Sequence, residues 1–364
     1  MQNPENQEEH RKKINFIVPK KREVPNGYFN DHWVQIIIKQ NPIKQPLAGL
    51  TNFGNSCFLN SVLQCLMYCP GLPFFAENIP HIVLERSINK DCFLYHFEKL
   101  SREMKSCKTA TPSVFFENLT KISAPMKPGY QQDAHEFLFE LLNIFDDECQ
   151  RAWNKNHDYF DTAVHALFGS TLKETRICDS CMNVVSSISR VLDISLPIDK
   201  WGKNETPTIE KCLMHFMNPS ESVSGFKCEK CNSIGTMSNS YTFENTPYIL
   251  IITMMRFSAT GQKIEMNVDF DFELDISFCS QPSLQTQYEL FAVVVHNGHQ
   301  INFGHFTSAF KIGKVWYSAD DTTVTKVSPK SIKLSKPYIL FYRRKIVMEP
   351  IIVQFGIPEN ENSQ

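Results

Sequence analysis

The stretch Gly49-Leu50-Thr51-Asn52-Phe53-Gly54-Asn55-Ser56-Cys57-Phe58-Leu59-Asn60 sets one cysteine among amides, glycines and a serine. Its polar part ends where apolar residues start to recur at helical spacing, at Phe58, Leu59, Val62, Leu63, Leu66 and Met67; Pro70-Gly71 ends the run. Asn55 or Ser56 is the expected cap, which places Cys57 in the first turn of a helix. Free backbone N–H groups and the helix dipole favour an anion there, so the thiolate, the attacking form of a cysteine nucleophile, is expected to be stabilised. The amide of Asn52, five positions earlier, can donate to the oxyanion formed when a carbonyl is attacked. The competing reading of Cys57 is a buried thiol, as cysteines commonly are. That plainer reading is taken for Cys65, Cys69, Cys92, Cys107, Cys149, Cys212 and Cys279.

A nucleophilic thiol needs a base, and the base needs an orienting partner. Gly304-His305-Phe306 opens a strand reading His305–Lys311, followed by a turn at Ile312-Gly313 and a second strand ending in Ser318-Ala319-Asp320-Asp321. An aspartate at the end of the returning strand lies beside the start of its partner, so Asp320 can hold His305 while the other ring nitrogen faces Cys57. Gly304 is read as allowing a substrate backbone to approach. His296 and His299 are the competing bases, without a cross-strand carboxylate in the pattern.

Cys178-Asp179-Ser180-Cys181 and Cys228-Glu229-Lys230-Cys231 form two CxxC pairs in polar turns. Four thiolates so spaced suit a tetrahedral, closed and hence structural Zn²⁺ site tying together distant strands. A redox CxxC would call for a single pair at a helix start.

These groups must be carried by larger elements. Ala134, Phe137, Leu138, Leu141, Leu142 and Phe145 predict a second helix after the Pro128-Gly129 turn. Asp133 and Glu136 lie near its start, where carboxylates either cap the helix or face a cleft and pair with arginines of a bound chain. Tyr248–Thr253, Tyr288–Val295, Lys314–Ser318 and Tyr338–Tyr342 read as further strands. Helices first and strands later indicate an α+β architecture.

Of the 364 residues, 42% are hydrophobic and 21% charged, enough for a large core and unlike a disordered chain. A net charge of −2 argues against a dedicated nucleic-acid binder. The apolar run Tyr248–Met255 is too short to span a membrane, and the polar start MQNPENQEEHRKK is unlike a secretory signal. The twelve cysteines are therefore expected as thiols or metal ligands in a reducing compartment, cytoplasmic or nuclear. Residues 1–46 read as an extension with two short basic clusters, suited to solvation, nuclear import or docking, with Trp33–Ile38 apolar enough to pack on the body. Residues 346–364 read as a tail.

GLTNFGNSCFLNSVLQCL and HNGHQINFGHFTSAFKIGKVWYSADDTTVTKV resemble the two signature boxes of the ubiquitin-specific proteases (peptidase C19 type). Gln131-Gln132-Asp133-Ala134-His135-Glu136-Phe137-Leu138 is similar to the helix motif between them, and TPYILIITMMRF and YILFYRR to core strands. The resemblance runs in family order from about Leu47 to Arg344. It implies a papain-like fold over 47–345, with a helical thumb, a β-sheet palm and zinc-bearing β fingers at about 165–250. It implies a monomeric thiol hydrolase cleaving after the C-terminal glycine of ubiquitin. Cys57 would be nucleophile, His305 base, Asp320 its orienter and Asn52 the oxyanion donor. Asp133, Glu136 and Phe306 would meet the ubiquitin tail, and Cys178, Cys181, Cys228 and Cys231 would hold one structural zinc. The chain departs from the usual boxes at Phe306 (commonly Tyr), Ala319 (commonly aromatic) and Ser56 (commonly Thr); without an aromatic at 319 the packing that aims Asp320 is looser, and Asp321 is the alternative for its role. A ubiquitin-binding scaffold without activity, or a protease for another ubiquitin-like modifier, are the alternatives.

Overall fold

The structure is a computed structural model that describes residues 34, 37–38, 43–78, 92–153, 162–202, 205–219, 223–258 and 261–345. Helices within these residues are α1 (Cys57–Met67), α2 (Leu72–Asn78), α3 (Phe93–Ser106), α4 (Ser113–Glu117), α5 (Leu119–Ile122), α6 (Ala134–Trp153), α7 (Ala163–Phe168), α8 (Ile209–Met217) and α9 (Pro329–Lys333). Helices thus dominate the first half, as expected, with α8 and α9 as later exceptions. The helix α3 carries Phe93, Leu94, Phe97, Leu100 and Met104 on its buried face, a helical pattern present in the sequence but not read from it.

The first strands, β1 (Gly49–Leu50) and β2 (Thr109–Ala110), form a short parallel pair leading into the Cys57 loop. Four more make the separate sheet of the fingers: β3 (Ser170–Cys178), β4 (Val184–Val191), β6 (Val223–Lys227) and β7 (Ile234–Asn245), in the order β4-β3-β7-β6. The tip of that sheet buries little: Cys178, Cys228 and Met237, with Cys181 and Phe226 packed against them.

The large sheet is built from β5 (Ile194–Pro197), β8 (Ile249–Met255), β9 (Glu273–Asp275), β10 (Gln287–Gln300), β11 (Phe303–Ile312), β12 (Val315–Asp320), β13 (Thr323–Val327) and β14 (Pro337–Arg344). It runs β13-β12-β11-β10-β14-β8-β5, with β9 also paired to β10. The strand β8 explains its own continuous apolar sequence. Ile249 and Ile251 face the core beneath α1 and α6, while Leu250, Ile252 and Met254 face a second core on the other side. Ile312 pairs with Val315, so the turn is Gly313-Lys314, one residue later than the sequence pattern suggested.

Val34 and Ile37 belong to the main core, and Ile37 packs against Gly71, so part of the segment read as an extension is built into the body. Most of 1–42 and all of 346–364 lie outside the described residues.

The fully buried Arg256 ties β8 to the site. Its Nε donates to Pro337 O at 2.6 Å, and Nη1 donates to Met266 O at 2.7 Å and to Ile264 O at 3.3 Å. Burial lowers its pKa to about 10, and its partners are carbonyls, which offset the loss of water less than a carboxylate would. The loop it holds includes Lys263, whose Nζ donates to His296 O at 2.6 Å, and so braces the β10–β11 turn. Arg256→Lys keeps a charge but loses the fork, and each carbonyl left unpaired should cost about 1–3 kcal/mol. A denaturant unfolding midpoint unchanged from wild type would contradict this.

Candidate active site and metal centre

Cys57 starts α1, and its side chain is almost wholly covered. The cap expected from Ser56 is not made by its side chain. Ser56 Oγ instead accepts from Phe53 N at 2.9 Å and donates to Asn52 Oδ1 at 3.1 Å. Asn52 Oδ1 also accepts from the backbone N–H groups of Gly54 and Ser56, at 2.8 and 3.2 Å. These donors fix which way the amide points, leaving Nδ2 to donate to Asp321 Oδ2 at 2.8 Å.

Burial pushes the Cys57 thiol above its ordinary pKa, against the N–H groups of Phe306, Phe58 and Cys57 itself; the Asp321 charge raises it further. The expected gain from the helix start is therefore present but outweighed by desolvation.

The thiol meets the palm at β11. Phe306 N donates to Cys57 Sγ at 3.4 Å, and the residue before it is His305. His305 Nε2 lies 2.6 Å from Asp320 Oδ1. Registers place Ala319 opposite Ser308 and His305 opposite Asn297, so the His305 and Asp320 side chains share one face of the sheet. Ala319 points the other way, into the core under α1. Its small size leaves the His305–Asp320 contact in place.

Asp321 lies close by, a carboxylate oxygen within 4.8 Å of a His305 ring nitrogen and of the Asp320 carboxylate, but the hydrogen bond from His305 goes to Asp320. Asp321 sits in the β12–β13 turn at φ 48°, and its carboxylate accepts from Asn52 and, at 2.7 Å, from Asn60 Nδ2. Leu50 N donates to its carbonyl at 2.7 Å. Gly49 lies so close to Thr322 that a Cβ would collide with that backbone, so the turn and the Cys57 loop are locked together. Sequence reading left Asp321 and Asn60 without these roles, because the contact spans more than 260 positions and only its ends carry a pattern.

The competing histidines are otherwise engaged. His296 is buried against Phe306, with ring centroids 4.6 Å apart, and burial drops its pKa to about 4. Gly304 packs directly on that ring, and a Cβ there would overlap His296 Nε2, so its smallness first serves internal packing. His299 is exposed and does have a carboxylate, Glu265, at 3.2 Å, but from the loop after β8.

Asp133 caps α6 by accepting from His135 N at 2.8 Å, and it accepts the Tyr338 hydroxyl at 2.7 Å. Glu136 Oε1 accepts from Ser123 Oγ at 2.8 Å. Phe306 keeps its ring in the core between His296 and Tyr338 and offers the site its backbone N–H. A cleft of about 890 Å³ opens beside the thiol loop, lined by Asn55, Gly129, Tyr130, Gln131, Phe303 and Gly304 among others. Asn55 Nδ2 donates to Gly129 O at 3.0 Å, and Gln131 Nε2 to Ile301 O at 2.9 Å, so one loop touches both walls. Its exposed aromatics, Tyr130 and Phe303, carried no periodic signal in the sequence.

In the fingers the sulfurs of Cys178, Cys181, Cys228 and Cys231 all lie within 4.8 Å of one another. The cross-pair distances are 3.9 Å (Cys178–Cys231) and 3.7 Å (Cys181–Cys228). Tetrahedral zinc with Zn–S of about 2.3 Å has sulfur–sulfur edges of about 3.8 Å, so the donors fit. The two turns are built alike: Cys178 N donates to Asn183 O and Met182 N to Cys178 O, and Cys228 N to Ser233 O and Asn232 N to Cys228 O.

Residues 48–342 match the family described as ubiquitin carboxyl-terminal hydrolase. The chain is 31% identical over 317 residues to ubiquitin carboxyl-terminal hydrolase 23 of Arabidopsis thaliana, covering 82% of this chain and 35% of that protein. It is 30% identical over 346 residues to the probable ubiquitin carboxyl-terminal hydrolase 16 of Schizosaccharomyces pombe, covering 91% of this chain and 72% of that one. It thus spans about a third of the first relative and nearly three quarters of the second. Its fold is similar to a chain of the SAGA Ubp8/Sgf11/Sus1/Sgf73 DUB module bound to ubiquitin aldehyde, with a TM-score of 0.71 at 24% identity, covering 87% of this chain and 74% of that chain. With helices on one side of a mostly antiparallel palm, a separate finger sheet, and Cys57 held against the residue after His305, the chain belongs to the ubiquitin carboxyl-terminal hydrolase family.

Proposed function

We propose that this chain is a thiol-dependent deubiquitinase that hydrolyses the peptide or isopeptide bond after the C-terminal glycine of ubiquitin. One observation carries the reading: the Cys57 thiol at a helix start touches the residue after His305, whose ring is held by Asp320. His305 takes the thiol proton, and the thiolate attacks the glycine carbonyl. Asn52 donates to the oxyanion. His305 then protonates the leaving amine, and water releases ubiquitin from the thioester in a second round of the same proton transfers. The cleft beside the thiol takes the tail. Asp133 and Glu136 contribute to tail binding from the start of α6. The names of the relatives, and the ubiquitin aldehyde bound to the similar DUB module, support ubiquitin as the partner.

The test is covalent capture by ubiquitin carrying an electrophilic C-terminus, run beside probes built on other ubiquitin-like modifiers. Preferential capture of ubiquitin at Cys57 supports the reading. Capture of another modifier alone would replace ubiquitin as substrate. Ubiquitin binding without capture would make the chain a scaffold.

We assign the four finger cysteines to one structural Zn²⁺. The donor set is closed, so the metal's contribution is to folding of a sheet tip with little apolar core. Cys178→Ser with Cys228→Ser should release one zinc per chain and lower folded yield, while the turnover of the surviving folded fraction changes little. Elemental analysis finding no zinc in the purified wild type would overturn the assignment.

A further inference from the structure

We propose that Asn60 is a positioning residue for the reaction: its amide holds the Asp321 carboxylate, and Asp321 in turn aims Asn52. This rests on the deubiquitinase reading and deepens it.

Asn60 follows Cys57 by one helical turn and is 2% exposed. Its Nδ2 lies 2.7 Å from Asp321 Oδ1, and 3.3 and 3.5 Å from the carbonyls of Thr51 and Leu50 in the lead-in loop. The other Asp321 oxygen takes the Asn52 amide at 2.8 Å. One carboxylate is therefore gripped by two amides, one from the nucleophile's helix and one from the loop before it. The turn does not need Asn60 to reach this place, because the Leu50 N–H to the Asp321 carbonyl and the Gly49–Thr322 contact already fix its backbone. What Asn60 sets is the rotation of the carboxylate. Without that grip Asp321 can turn, and Asn52 loses the partner that orients its donor.

The cost of keeping an amide here is visible. Asn60 Oδ1 is buried with no hydrogen-bond partner among the described residues. Such an orphan carries a desolvation penalty that an apolar side chain in the same helix would avoid. What the amide supplies against that penalty is its donors, and the shortest of their contacts goes to Asp321.

The experiment uses the full chain and a ubiquitin C-terminal reporter, with kcat and KM measured separately and thermal midpoints recorded. Asn60→Ala should lower kcat at least about 10-fold at nearly unchanged KM, approaching the hundredfold or more expected for losing an oxyanion donor outright. Placed in an Asn52→Ala background it should add little, because both act through one donor. Asn60→Asp, of the same shape, replaces the donor by an acceptor facing Asp321 and should lose at least as much. Wild-type kcat in these variants would overturn the role, and so would a loss that adds in full to that of Asn52→Ala. A lower thermal midpoint with unchanged kcat per folded enzyme would also overturn it, leaving Asn60 a packing residue. A wild type silent on ubiquitin and on every other modifier reporter overturns the enzymatic reading itself. An active wild type matched by Asn60→Ala overturns this role alone.

Discussion

Cys57→Ala should reduce hydrolysis of a ubiquitin C-terminal reporter to assay background while ubiquitin binding persists. Removal of a triad nucleophile has cost on the order of 10⁶-fold in kcat in a serine protease. The next thiols along the same helix are poorly placed to step in. Cys65 and Cys69 follow on α1 and its end, about 12 Å and 18 Å away at helical rise, and both are fully buried. The substitution removes one sulfur, which accepts the Phe306 N–H, so the fold should lose little beyond that contact and the packing of the atom. On the proposed reading ubiquitin binding draws on the cleft lined by Tyr130 and Phe303, whose lining does not include Cys57. Isothermal titration with ubiquitin beside the kinetic assay checks both halves. Appreciable turnover by the variant would show that another group is the nucleophile, and lost binding would show that the thiol loop collapses without its sulfur.

The parts of the site that were legible in the sequence are those that repeat a local pattern. The helix after Cys57 is announced by apolar spacing, β11 and β12 by β-branched and aromatic residues around a glycine turn, and the metal ligands by two CxxC pairs. Each depends on residues close to one another in the chain. What stayed hidden depends on meetings between remote segments. Whether the Cys57 thiolate is favoured is decided by how completely the palm covers the helix start, and burial wins over the local N–H groups. Ser56 looks like a cap in sequence, but its hydroxyl has a better partner in Asn52. Gly304 looks like room for substrate, but His296, eight positions earlier, fills that space through the β10–β11 pairing. Asp321 looks like a duplicate of Asp320, yet the positive φ of the turn sends it to a different element. The finger strands were legible only through their cysteines, because β4 is exposed along nearly its whole length and shows no buried alternation.

The two neighbouring aspartates should fail in different ways. Asp320→Ala frees the His305 ring to turn and to take the wrong tautomer, a loss of about 10⁴-fold when made in a serine triad. A thiol is more acidic than a serine hydroxyl and depends less on its base, so a somewhat smaller fall is expected here. Asp321→Ala leaves that pair intact and acts through Asn52, so its cost should approach that of losing the oxyanion donor, about 10²- to 10³-fold in kcat. That is heavier than a spectator carboxylate would give. Their pH profiles separate them further. The Asp321 charge disfavours the nearby thiolate and raises the Cys57 pKa. Neutralising it as Asp321→Asn should lower that pKa, so the rate of Cys57 alkylation by iodoacetamide should begin to climb at a lower pH than in wild type. Asp320 is held by the His305 ring, and Asp320→Asn should shift the alkylation profile less than Asp321→Asn while kcat falls. If Asp321→Ala proves the more damaging of the alanine variants and Asp320→Ala retains wild-type kcat, the orienting role has passed to the second aspartate and the His305–Asp320 contact is not the working one.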